Sequence, residues 1–415
     1  MRDSRLKGAV VKICFLSSLH PPYDKRVFHK EAVALAEAGF DVVHIAPDKV
    51  AGAAEHRDVR VVTFCSPGSG LRRCLSLPKL FGLALREQID AVHCNELDSW
   101  LVGVAVGILR RAKVVFDVHE IYSGEVAERF PGPLRGLVAG LVRLSCRLLL
   151  PLTDRLVFAK KSAQRDFPRR DFPEQSPKYV LARNYALLRA GTAGDEPDSA
   201  GSSASGADSA SSNHDTGVER DAIVAIHVGE ISIRRGWPAL LEALRGATAN
   251  VRLEVIGSFE DGSLADFQSR VEELGLTDRV TVSEWLPYEA MMERLAGADV
   301  GLIAFQPGIL NHTYALPHKL FDYMMAGLPV IAPDFAVEVA EIVGASDCGH
   351  LVDPSSPQEI AAAFDHLAAH RQDWRAMGAR GREAALRQYN WTTEATRLVD
   401  MYKDLLGDPT ATVPG

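Results

Sequence analysis

Of the six cysteines (Cys14, Cys65, Cys74, Cys94, Cys146 and Cys348), no two form a CxxC pair. Scattered in this way they read as reduced residues of a cytosolic protein, several of them buried in strands. No uninterrupted apolar run reaches the ~18–20 residues that a membrane-spanning helix needs. The opening, MRDSRLKGAVVKICFLSSL, faintly resembles a signal peptide, but Lys12 interrupts its apolar run and no small-residue cleavage site follows. A first buried strand is the expected structure there. Basic residues are not in excess: the net charge is −8 and the pI about 5.9, which argues against general nucleic-acid binding. There is no GxGxxG, so a nicotinamide-type dinucleotide site is poorly supported. No cluster of histidines and carboxylates suggests a metal site or a metal cofactor.

The 415 residues suffice for two domains, and 47% hydrophobic with 24% charged residues fits a globular protein. From Val10, strand-like runs (VVKICFL, DVVHIA, VRVVTF, DAVHC, KVVFDVHE) alternate with helical stretches such as RVFHKEAVALAEAG, closed by Gly39. Apolar strands alternating with amphipathic helices predict an α/β fold with a parallel sheet covered on both faces. Residues 191–221 hold almost no large apolar side chain and read as a flexible, low-complexity linker. Beyond it the alternation restarts with AIVAIHVG. This divides the chain into a domain over 1–190, the linker, a domain over 222–390, and a closing helix over 391–407 that packs back across the domains. The final DPTATVPG reads as disordered.

The stretch ALPHKLFDYMMAGLPVIAPD (315–334) organises the second domain. Pro317 suits the first turn of a helix, Leu320, Phe321, Met324 and Met325 recur at helical spacing, and Gly327 stops the helix after about three turns. Its N-terminal turn offers unpaired N–H groups and a positive dipole end to an anion, with His318 and Lys319 nearby and Asp322 as its one acid. In HVGEISIRRGWPALLEAL (from His227), strand, Gly229 turn and helix follow in the order used for phosphate binding. Arg234 and Arg235 stand just before the helix, a charge pair suited to a diphosphate or simply a solvated basic loop. Trp285, after a strand, either stacks on a base or packs. In HPPYDKRVF, Asp24, Lys25 and Arg26 precede a helix and contact a ligand or merely form surface. Helix 131–150 puts Leu134, Leu137, Val138, Leu141, Leu144 and Leu148 on one face, with Arg135, Arg143 and Arg147 roughly opposite. It suits an anionic membrane surface, or serves as an ordinary domain helix with a solvated basic face.

Taken together, SSLHPPYDKRVFHKEAVALAEAGFDV, VVFDVHEIYS, HVGEISIRRGW, ADVGLIAF with LPHKLFDYMMAGLPVIAPDF, and QYNWTTEATRLVDMYKDLL resemble, in this order, the retaining glycosyltransferases of family 4 (group 1). The resemblance spans nearly the whole chain outside the linker. It implies the GT-B fold, two Rossmann-like doubly wound domains facing a central cleft. It also implies transfer of a sugar from a nucleotide-sugar co-substrate, a UDP- or GDP-sugar foremost, to a sugar, lipid-linked or small-molecule acceptor. No other cofactor is implied. Carried over by position, Arg235 stands where a lysine neutralises the donor diphosphate. Glu230 stands where an arginine follows the first glycine, with Arg234 a substitute for that charge. Asp322 matches the second acid of the paired-glutamate motif, which holds the ribose, and Tyr314 occupies the place of the first acid. His119 stands where a histidine contacts the donor sugar, beside Glu120, which either orients substrate or caps a turn. Gly229, Trp285, Pro317 and Lys319 complete the implied donor site; Asp24, Arg26, His119 and Glu120 form the acceptor side. The implied setting is exopolysaccharide, cell-envelope or glycoconjugate synthesis in the cytoplasm, with contact to the inner membrane face through 131–150. Two rival readings remain: a nucleotide-sugar epimerase of the same fold, and a non-catalytic binding protein, which the missing first acid and Glu230 would suit.

Overall fold

The computed structural model describes residues 11–66, 70–167, 176, 178–188 and 222–409, so the linker 191–221 and the end of the tail lie outside the described residues. The chain forms two compact units. Residues 1–185, 309–316 and 391–415 make up the first, and residues 186–308 and 317–390 the second. The boundaries therefore interleave. A short piece between two strands of the second unit, and the closing helix, are counted with the first.

The first unit is built on an eight-stranded sheet of β1 (Lys12–Leu16), β2 (Asp41–Asp48), β3 (Gly52–His56), β4 (Val59–Cys65), β5 (Ala91–Cys94), β6 (Lys113–Val118), β7 (Arg155–Phe158) and β8 (Tyr179–Leu181). The order is β3-β4-β2-β1-β5-β6-β7-β8, parallel throughout except for β3, which runs antiparallel to β4. The five strand-like runs all form parallel strands. β3 escaped sequence reading because every residue of GAAEH is exposed, so it has no apolar alternation to betray it. The stretch from Arg26 begins on Asp24, whose carboxylate accepts from the N–H groups of Arg26 (2.8 Å) and Val27 (2.9 Å). It is π-helical over Val27–Ala32 and α-helical over Val33–Glu37, and Gly39 ends it at φ 94°.

Helix Leu97–Arg110 and helix Gly132–Leu149 share one core with the strands through Trp100, Val104, Val142 and Cys146. Trp100 stacks on Phe116 with ring centroids 4.1 Å apart and donates its indole N–H to Thr153 Oγ1 at 2.9 Å. Helix Gly132–Leu149 does not turn its leucine face to this core. Val142 and Cys146 are buried, while Leu134, Leu137, Leu141, Leu144 and Leu148 are 46%, 63%, 54%, 49% and 65% exposed. Closing helix Trp391–Leu406 buries Leu398 and Tyr402 within the first unit, and the Tyr402 hydroxyl meets His93 Nδ1 at 2.8 Å.

The second unit has a six-stranded, wholly parallel sheet in the order β11-β10-β9-β12-β13-β14. Its strands are β9 (Ile223–Val228), β10 (Val251–Ile256), β11 (Val280–Ser283), β12 (Val300–Leu302), β13 (Val330–Pro333) and β14 (Gly349–Val352). Helix His318–Met325 follows Pro317, its N-terminal flanking residue, and Gly327 ends it at φ 73°. At eight residues it is nearer two turns than the three expected. Gly236, at φ 82°, opens helix Trp237–Gly246. A Cβ there would lie 2.3 Å from the Ala304 carbonyl oxygen, so only glycine fits.

Replacing Trp100 by alanine removes a fully buried ring and its hydrogen bond. The unfolding transition of the first unit should lose about 3–5 kcal/mol in urea titration followed by far-UV circular dichroism. A loss under about 1 kcal/mol would show that Trp100 does not anchor this core.

Candidate functional site

Open parallel sheets bind ligands beyond the carboxyl ends of their strands, where the strand order reverses. In the first unit that point lies between β1 and β5, since β1 is flanked by β2 on one side and β5 on the other. Glu96, just after β5, accepts from the backbone N–H groups of Ser18 (2.9 Å), Leu19 (3.0 Å) and His20 (3.1 Å), and so pins the loop after β1. His20 is thereby brought to His119, with ring centroids 4.9 Å apart. His119 Nε2 bonds Asp117 at 2.6 Å, an arrangement that fixes the ring and leaves Nδ1 as the nitrogen a ligand can use. Glu120, adjacent to it, pairs with Lys160.

Arg26 is not available to an acceptor, contrary to expectation. It is 2% exposed and forks onto both oxygens of Asp117 at 2.8 and 2.9 Å. It also donates to the Ala182 carbonyl (2.8 Å) and Asn184 Oδ1 (2.9 Å), and lies 2.9 Å from Glu31 Oε1. A D-K-R loop reads the same whether its arginine points out or in, so the sequence held no signal for this. Asp24 serves as the helix-starting carboxylate beside His20. Glu31, His93 and Asp117 place three ligand-type atoms within 4.8 Å of one another, all buried. The Arg26 guanidinium already supplies the positive charge that would balance these acids. Burial raises both carboxyls, but Arg26 and then His119 hold Asp117 well below the usual range, while Glu31 stays well above it. Burial also lowers His93 to about 4, and it remains neutral.

In the second unit the order reverses between β9 and β12. Gly229 turns the chain at the end of β9 with φ 102°. A Cβ on it would lie 3.4 Å from Lys319 Nζ and 3.8 Å from the Trp285 ring, so the glycine lets all three converge. Arg235 follows in the short turn Ile233–Arg235, paired with Glu230 at 2.9 Å and lying 5.4 Å over the Phe305 ring beyond β12. Arg234 is exposed, and its backbone carbonyl accepts from Gln306 at 3.3 Å. Lys319, on the first turn of helix His318–Met325, is 7% exposed and 3.0 Å from His227 Nε2. Asp322, one turn on, is 3% exposed and accepts from the Tyr288 hydroxyl at 3.4 Å. Trp285 is 58% exposed, with its indole N–H 3.4 Å from Ser258 Oγ, and so does not pack as a core tryptophan.

Gly229, Arg235, Trp285, Lys319 and Asp322 thus gather at one strand end. Tyr314 does not. It sits in residues 309–316, counted with the first unit, where Arg165 covers its ring at 4.1 Å and its carbonyl accepts from Ser162 Oγ at 3.3 Å. Sequence reading overlooked Glu96, His20 and His227. The residues at and just past the C-terminal ends of β1, β5 and β9 were the signal that could have found them.

Two parallel sheets, each with ionisable side chains massed where its strand order reverses, define a GT-B fold. Two family profiles match the chain: Glycosyltransferase Family 4 over residues 25–178 and Glycosyl transferases group 1 over residues 210–384. The chain belongs to the family-4, group 1 glycosyltransferases. An MMP alpha-(1->4)-mannosyltransferase of Mycolicibacterium hassiacum is 27% identical over 187 residues, 44% of this chain and 43% of the relative. The chain therefore spans less than half the length of that relative. Among solved structures, sucrose-phosphate synthase from Thermosynechococcus elongatus superposes with a TM-score of 0.67 at 18% identity, covering 95% of this chain and 99% of its own. HepE of Anabaena, solved with UDP-glucose, gives 0.62 at 14% identity over 95% and 100%. At these identities the two structures speak for the fold alone.

His20 gives a pH signature. Burial pulls its pKa down, but the hydrogen bond to Asp24 and the carboxylates of Asp24, Glu96 and Asp117 raise it from 6.5 to about 9. Its stabilising contribution is therefore complete below pH 6.5 and is lost as pH rises through 9. NMR titration should find a His20 midpoint near 9 that Asp24→Asn moves toward 6.5. An unmoved midpoint would remove Asp24 as the partner.

Proposed function

We propose that the protein is a retaining glycosyltransferase that moves a sugar from a UDP- or GDP-sugar to an acceptor hydroxyl. The observation that carries this reading is the convergence of Arg235, Lys319 and the Gly229 turn at the end of β9, with Asp322 one helical turn from Lys319. Cationic groups in that position suit a diphosphate, a buried carboxylate accepts ribose hydroxyls, and an exposed indole offers a stacking face to a base. Among structural neighbours, HepE was solved with UDP-glucose.

In the proposed reaction the bond from the sugar's anomeric carbon to the diphosphate oxygen breaks, and a bond to the acceptor oxygen forms on the same face. The acceptor's proton passes to the departing diphosphate. Arg235 and Lys319 stabilise the charge that develops there, which is preorganised electrostatic catalysis. Glu230 must first release Arg235, since the two form an ion pair. Within the first unit, His119, fixed by Asp117, is the side chain we assign to the sugar, and Glu120 beside it is assigned to the acceptor. Sugar, lipid-linked and small-molecule acceptors all fit this chemistry.

Membrane contact is part of the proposal. No described helix is long and apolar enough to cross a bilayer. Helix Gly132–Leu149, however, presents five exposed leucines, carries Arg135, Arg143 and Arg147, and has no acid. An apolar stripe on a helix whose charges are all positive matches an anionic lipid surface, such as the inner face of a cytoplasmic membrane. Polysaccharide or cell-envelope synthesis is the setting this suggests.

Calorimetry with UDP, GDP, dTDP and ADP tests the donor site. One nucleotide should bind in the micromolar range, and Arg235→Ala should weaken it at least about tenfold, the loss of one charged hydrogen-bonding partner. No binding by any of the four would overturn the reading. For the membrane face, the protein should float with phosphatidylglycerol vesicles but not with phosphatidylcholine ones. The double change Leu137→Asp with Leu144→Asp should abolish flotation, and equal flotation with both lipids would contradict the charge argument.

A further inference from the structure

The group opposite the diphosphate turn is a buried pair, Lys319 and His227, 92 residues apart in sequence. Lys319 Nζ lies 3.0 Å from His227 Nε2, and the same Nε2 lies 3.1 Å from the Glu230 carbonyl oxygen. His227 is fully buried, and its Nδ1 has no hydrogen-bond partner among the described residues. One ring nitrogen cannot both donate to a carbonyl and accept from an ammonium. If Nε2 carries the proton, it donates to Glu230 and meets the lone pair of a neutral lysine amine, and only an acceptor, Nδ1, goes unpaired. If Nε2 is bare, it accepts from a charged lysine, but its lone pair then opposes the Glu230 oxygen and a buried Nδ1–H is left without an acceptor. A stranded donor costs more than a stranded acceptor here, because the second arrangement adds a lone-pair repulsion at 3.1 Å. The geometry therefore favours the uncharged pair.

We propose that Lys319 takes the place of the arginine missing after Gly229 as a ligand of the donor's diphosphate, and that the Lys319–His227 pair takes up one proton when the diphosphate binds. This rests on the donor site proposed above. The charged and titratable groups around Lys319 are Arg235 and Glu230 from the turn after β9, His227 from β9 itself, and Asp322 from its own helix, with the Tyr288 hydroxyl on Asp322. Burial and then Arg235 hold Lys319 well below the usual lysine range, with Glu230 and Asp322 opposing. Burial and then Lys319 hold His227 down as well. A diphosphate at the Gly229 turn reverses this balance, since an anion within a few ångströms favours the ammonium. Lys319 would then add to Arg235 a cation that exists only when there is a diphosphate to receive it. Until then the pocket carries one buried charge fewer, which spares the cost of an unpaired buried ammonium.

Two observable consequences follow from linkage. Above pH 7.5 the terminal phosphate of a nucleoside diphosphate is already ionised, its second pKa being about 6, so the ligand itself contributes no proton. Between the free and bound pKa values of the pair, affinity should fall about tenfold for each unit of pH rise.

The test is calorimetry of the nucleoside diphosphate found to bind, at pH 8, in Tris and in Hepes, whose ionisation enthalpies differ. The wild-type protein should take up about one proton per nucleotide bound. Lys319→Met should bind more weakly with no uptake, and Lys319→Arg, permanently charged, should bind without uptake. Wild-type binding with no proton uptake would overturn this inference and leave the donor site standing. Uptake that persists in Lys319→Met would place the proton elsewhere and also overturn it. No nucleotide binding by the wild type would instead remove the donor site itself. The wild-type measurement decides the matter even if a variant fails to fold.

Discussion

Both units depend on one constraint: a parallel sheet has a single place where neighbouring connections leave in opposite directions and the strand ends stand uncovered. For the first unit that place is beside β1, and for the second beside β9. Everything chemical gathers there. Glu96 and the His20 loop lie past β5 and β1, Asp117 and His119 at and just past the end of β6, and Gly229 with Arg235 past β9. The sheets are otherwise lined mainly with Val, Ile, Phe and Leu.

The units treat buried charge differently. In the first, Arg26 is permanently charged and permanently matched, forked onto Asp117 with Glu31 beside it. Removing one partner of such a cluster costs about 3–5 kcal/mol, which makes it a structural fixture whose product is the orientation of His119. In the second unit, Lys319 is buried against a histidine instead of an acid. It is left free to become a cation when an anion arrives, and that is the property a ligand site needs and a structural ion pair lacks.

Much of this was legible in the residues. Strand runs such as DVVHIA and LPVIAP are apolar on both faces, as a covered parallel strand must be. The order strand, glycine, two arginines, helix located the turn after β9. Other features were hidden for physical reasons. Periodicity shows that Leu134, Leu137, Leu141, Leu144 and Leu148 share a stripe, but not which way the stripe faces. Only the burial of Val142 and Cys146 shows that it points away from the core. A basic loop residue does not announce that an acid 91 residues away will bury it, as Asp117 does Arg26. Tyr314 lies in sequence between elements of the second unit, yet it is held by Arg165 and Ser162 of the first.

The central claim is that the second unit holds a nucleoside diphosphate at the end of β9. A crystal structure of the protein with UDP-glucose or GDP-mannose addresses it most directly. The account predicts diphosphate oxygens about 3 Å from the Arg235 guanidinium and from Lys319 Nζ, the Glu230–Arg235 pair opened, and the ribose against Asp322. A nucleotide seated anywhere else, or a diphosphate that leaves Arg235 clasped by Glu230, would contradict it.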